Sequence, residues 1–149
     1  MAVFVINEWL WADLSGSNGL QAQRESFSFI ECFPSVEHQI VIIEGSAFDR
    51  KAWNLCRNDN PMVVQRIAGA YITSIRQNSD RCLILKPEVI VPLSAELVRT
   101  VKPDDHYLVQ ALMSAAGSIL VTTDAPLRQI VTDVGLNSMS RDEFLTIFR

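Results

Sequence analysis

Oxygen-bearing side chains recur where apolar runs end or helical ones begin: Asn7 after AVFVI, Glu44 after HQIVII, Asp104 with Asp105 after Pro103, and Asp124 after SILVTT. Hard divalent cations prefer oxygen ligands, and Mg²⁺ is usually held by only one or two carboxylates together with waters and phosphate. A cation held by such side chains lowers the pKa of a bound water, neutralises a phosphate and steadies a leaving oxygen. Phosphodiester hydrolysis is the chemistry that fits.

The elements that must position these groups are marked by periodicity. Pro103 suits the first turn of a helix, and Asp104 and Asp105 follow where negative charge suits the helix dipole. Leu108, Ala111, Leu112 and Ala115 then recur at i, i+3, i+4 and i+7 until Gly117, and SILVTT follows as a compact strand. At about 100° per residue, Asp104 projects near this helix's buried face and Asp105 further towards solvent. The spacing Glu44, Phe48, Ala52, Leu55 likewise puts the Glu44 carboxylate on the apolar face of a helix. Asp124 closes a strand, and in sheets flanked by helices ligands collect at the carboxyl ends of strands.

Further strands are expected at 2–6, 38–43 and 81–85, with 89–91 as a strand or extended partner and 135–139 as a small edge strand. Helices are expected at 8–14, 21–33, 61–77, 94–100 and 126–134, and Ser140 with Glu143 gives a capping-box signature for a terminal helix. SGSNG at 15–19 reads as a surface loop. The alternation predicts a three-layer α/β/α sandwich around a mostly parallel sheet of four or five strands, as one domain over 1–149.

At 149 residues and 48% hydrophobic, the chain is long enough to bury a sizeable core. A net charge of −4 does not advertise nucleic-acid binding through bulk electrostatics, so any such role must come from a local site. Cys32, Cys56 and Cys82 form no C-x-x-C pair and read as reduced, mostly buried thiols. MAVFVINEWL lacks a basic leader, and no apolar run approaches the ~18 residues of a membrane span, so a cytoplasmic location is expected. The scattered Arg50, Lys51, Arg57 and Lys102 read as solvated surface, His106 as a local hydrogen-bonding residue, and Trp9, Trp11 and Trp53 as packing residues.

DDHYLVQALMSAAGSILVTTD, preceded by VIIEG and VFVIN, resembles the acidic helix, threonine-rich aspartate strand, second acidic position and first strand of the PIN-domain family. These are small metal-dependent nucleases that include many toxin ribonucleases of toxin–antitoxin pairs. The resemblance implies Mg²⁺ or Mn²⁺ held by Asp104 and Asp124, with Glu44 as ligand or water-orienting acid and Asp105 as auxiliary. It also implies a single-stranded RNA substrate and an antitoxin-type protein inhibitor as partner. The apolar helix 61–77 hints at a homodimer surface. Asn7 stands where the family has aspartate, so a ligand position lacks its charge, and adjacent Glu8 is a secondary candidate. The alternative reading is a catalytically weakened PIN-like protein that acts by binding.

Overall fold

The computed structural model describes residues 1–148. Five strands, β1 (Val3–Ile6), β2 (Gln39–Ile43), β3 (Cys82–Leu85), β4 (Ile119–Val121) and β5 (Asn137–Met139), form one sheet in the order β3-β2-β1-β4-β5. Every pairing is parallel, with Phe4 opposite both Ile40 and Ile119, Ile40 opposite Cys82, and Ile119 opposite Asn137. The helices are α1 (Trp9–Leu14), α2 (Leu20–Cys32), α3 (Ala47–Leu55), α4 (Met62–Tyr71), α5 (Ala95–Thr100), α6 (His106–Ser114), α7 (Ala125–Asp133) and α8 (Arg141–Thr146).

Parallel strands joined by crossover helices are buried on both faces, which is why the strands read as continuous apolar runs rather than alternating ones. The two-residue period still divides them. Phe4, Ile6, Ile40 and Ile42 enter one core with Trp9, Trp11, Phe29, Tyr71 and Phe144. Val5, Val41, Ile43 and Leu120 enter the other with Leu97, Leu108, Leu112 and Leu127. The result is a three-layer α/β sandwich, as the alternation of elements predicts.

The chain enters at the sheet centre, builds β2 and β3 outward on one side, then returns to lay β4 and β5 on the other. The direction of winding therefore reverses between β1 and β4. In open α/β sheets such a switch point leaves a crevice beyond the carboxyl ends of the strands.

Several sequence expectations are corrected. Val89–Val91 is not a strand: Pro87–Val89 is a short 3₁₀ turn and the chain then runs irregularly to Ser94, since Pro87 and Pro92 carry no N–H for a ladder. The helix expected at 61–77 is α4 followed by a π-helical stretch, Ile72–Arg76. That stretch delivers the Arg76 guanidinium to Asp49 as a two-pronged pair, Nε to Oδ1 at 2.8 Å and Nη2 to Oδ2 at 3.2 Å. The thiols are not uniformly buried either: Cys32 is exposed, Cys56 half-buried and Cys82 buried. Burial holds the Cys82 thiol up to about 12.

A second tie fixes α1, and with it the segment that begins at Asn7. Asp13, only 1% exposed, accepts from Asn18 Nδ2 at 2.8 Å, Ser26 Oγ at 2.6 Å and Arg141 Nε at 2.8 Å. The Arg141 guanidinium also lies 5.7 Å from the Trp9 ring. Arg141 opens α8, whose N-terminus carries the complete Ser140–Glu143 capping box, and Phe144 and Phe148 lock that helix into a ring cluster with Phe29. Among the described residues no helix is long and apolar enough to cross a membrane.

Candidate functional site

The switch point places Asn7 at the end of β1 beside Thr122 and Asp124 at the end of β4. Asn7 N–H extends the ladder to Val121 O at 3.1 Å, and both ends of its side-chain amide are bonded: Nδ2 donates to Thr122 Oγ1 at 3.0 Å while Oδ1 accepts from Glu8 N at 2.7 Å. Thr122 Oγ1 also accepts from Asp124 N at 3.1 Å, so Asn7 and Thr122 together set the turn that aims Asp124. Asp124 Oδ1 caps α7 by accepting from Leu127 N at 3.1 Å.

α6 runs back across the sheet, so its start lies at the same edge. Asp105 and Asp124 line one cleft of about 140 Å³ together with Lys102, Val101, Pro126 and Leu127. Burial raises the Asp105 carboxyl above its usual range, the Asp124 charge raises it further, and Glu8 and Asp104 add smaller pushes against the opposing Lys102. Glu8 is also held by Lys51, Nζ to Oε1 at 2.7 Å.

The two leading acids differ from their expected orientations. Asp104 is exposed and Asp105 is half-buried, the reverse of the face assignment, because Pro103–Asp105 form a 3₁₀ turn and α6 begins only at His106. Three residues per turn rather than 3.6 break the angular count across that junction. Glu44 is exposed rather than on an apolar face, because Ser46 caps α3 and the helix starts at Ala47, leaving Glu44 and Gly45 outside its register. Its carboxylate pairs with Lys86 Nζ at 2.9 Å, on the β3 side of the sheet and away from β4. The structure thus puts Asp105 and Asp124 in one cleft, ties Asn7 to its edge through Thr122, places Glu8 and Asp104 within electrostatic reach of Asp105, and leaves Glu44 apart from it.

His106 Nε2 lies 2.9 Å from Val101 O, a local contact of the kind expected for it. Trp9 and Trp11 are core residues, with Nε1 atoms donating to Val121 O and Phe48 O respectively, whereas Trp53 is 44% exposed. Two further residues, Thr122 and Tyr107, take part in the arrangement. Thr122 had a signal in the Thr-x-Asp spacing of a side-chain turn. Tyr107 had none: its hydroxyl is buried without a hydrogen-bond partner among the described residues, and burial with the charges of Glu8 and Asp105 pushes the phenol up.

The donor chemistry fits a hard cation. Two carboxylates facing one cleft meet the usual protein contribution to a Mg²⁺ site, and their mutual repulsion is what a positive charge there would relieve. Among the described residues no group of three or more His, Cys, Asp or Glu side chains is disposed to hold a metal ion. Comparison with known proteins finds no matching family model, no matching curated relative and no matching solved structure.

Proposed function

We propose that this chain is a divalent-metal-dependent ribonuclease that hydrolyses phosphodiester bonds of single-stranded RNA at the cleft between β1 and β4. The observation that carries the reading is the pairing of Asp105 and Asp124 in one cleft at the switch point of a parallel sheet. Mg²⁺ or Mn²⁺ would be held by these two carboxylates, and when bound would supply an acidified water and neutralise the scissile phosphate. The remaining work belongs to the chain. Asn7 and Thr122 fix the turn carrying Asp124, the 3₁₀ turn at Pro103 presents Asp105, and the Lys102 ammonium offers a counter-charge to a phosphate entering the same cleft. A toxin role checked by an antitoxin-type inhibitor belongs to this reading through the PIN-domain resemblance.

The test is cleavage of a labelled single-stranded RNA with Mn²⁺, with Mg²⁺ and with EDTA. Metal-dependent cleavage should disappear in Asp105→Asn and in Asp124→Asn; cleavage that survives both substitutions sinks the assignment. A second reading, a PIN-like protein that has lost catalysis and acts by binding, is favoured by Asn7, whose amide atoms are both engaged in structure. Calorimetric titration that detects no Mn²⁺ binding, in a protein without nuclease activity, would select it.

A further inference from the structure

An acidic cleft that acts on a polyanion must hold the strand on either side of its carboxylates by positive charge, because the carboxylates themselves repel it. Lys102 supplies one side, lining the cleft with Asp105 and Asp124. On the other side a second groove of about 260 Å³ opens between α1 and α3, lined by Glu8, Trp11, Ser15, Lys51, Asn54 and Leu55. Glu8 joins the two, since it lines this groove and its charge acts on Asp105.

We propose that the groove between α1 and α3 receives the segment of a single-stranded polynucleotide flanking the acidic cleft, with Lys51 as the residue that positions its phosphates. The proposal rests on the polynucleotide reading above and assigns that substrate a path across the surface. Lys51 is suited to the exchange. Its side chain is 54% exposed, and its ion pair with Glu8 is screened by solvent, so a phosphate can take the ammonium at little expense. The groove wall is apolar at half-buried Leu55, which offers a surface to a sugar edge, while Trp11 backs the wall from the core with its Nε1–H already satisfied by Phe48 O. Exposed Asn54 adds an amide beside it. In the free protein Glu8 occupies Lys51, so the strand competes with a carboxylate of the protein itself.

Fluorescence anisotropy tests this with labelled RNA and DNA oligonucleotides of about ten nucleotides, within the span of single-strand grooves, in EDTA so that nothing is cleaved. Lys51→Ala should weaken both oligonucleotides several-fold and lower the slope of log affinity against log salt by about 0.7, one phosphate contact on a single strand. Lys51→Arg should keep the slope, and Glu8→Gln should tighten binding by removing a carboxylate that repels the strand in the same groove. An unchanged slope in Lys51→Ala, or no gain in Glu8→Gln, overturns the groove assignment. If Mn²⁺-dependent cleavage persists beside that unchanged slope, only the groove falls. A wild-type protein that binds neither oligonucleotide and cleaves nothing overturns the polynucleotide reading as well.

Discussion

Asp124 can be a helix cap, a metal ligand or both, and two substitutions separate these roles. Its Oδ1 accepts from Leu127 N at 3.1 Å, satisfying one of the free N–H groups at the start of α7. Asparagine caps about as well as aspartate, so Asp124→Asn keeps the cap and removes only the charge, which also relieves repulsion of Asp105. Alanine loses the cap at a cost of about 1 kcal/mol. For a chain of this size that lowers the melting midpoint by about 2–4 °C. Without metal, Asp124→Asn should therefore melt close to wild type and Asp124→Ala measurably below it. Mn²⁺ at a hundred times its dissociation constant should stabilise the wild type by about 2.7 kcal/mol, or roughly 5–11 °C, and should move neither variant appreciably. Differential scanning calorimetry in EDTA and in Mn²⁺ reads all three proteins. A full Mn²⁺ increment in Asp124→Asn would refute the ligand role and leave Asp124 a cap alone.

Asn7→Asp adds a charge beside the Asp105–Asp124 cleft, so titration calorimetry should show tighter Mn²⁺ binding while the metal-free protein melts lower; unchanged affinity would place position 7 outside the ion's reach. Asp13→Ala strands three donors of a buried network and should cost about 3–5 kcal/mol, with Arg141→Ala comparable. The double variant should lose less than the sum of the singles, and strict additivity in urea titrations would show that the pair does not couple. Asp105 is raised by burial first and then by Asp124, so whatever stability its protonated form confers is present below the unfolded value of about 3.9 and is lost as pH rises through the raised folded value. Asp105→Asn removes that loss: relative to wild type it should gain stability between pH 4 and 7, and parallel urea-stability profiles would contradict the assignment.

The strands were legible because a parallel sheet buried on both faces demands unbroken apolar runs, and AVFVI, QIVII and ILV supply them. Local caps were legible too, as at Ser140 and Glu143. What failed was angular bookkeeping across element boundaries. Projecting Glu44 onto α3 assumed a helix two residues before its Ser46 cap, and projecting Asp104 onto α6 assumed α-helical pitch through a 3₁₀ turn. The Ser46-x-x-Asp49 spacing, in which Ser46 Oγ accepts from Asp49 N, marks the true start of α3. No local pattern could have announced the Asp13–Arg141 tie, whose partners lie 128 residues apart.

Asn7 gains a different meaning from these contacts. By sequence resemblance alone, it stands where an aspartate is expected. In the fold its amide donates to Thr122 and accepts from Glu8 N–H, so it joins the end of β1 to the turn that holds Asp124. An ionised carboxylate has no N–H with which to donate and would add repulsion to an edge where Asp105 already feels Asp124, Glu8 and Asp104. The amide thus holds the edge together without adding negative charge to it. The nearest replacement charge, Glu8, is balanced by Lys51, so the electrostatic balance of this cleft depends on where that lysine points as well as on the acids that line it.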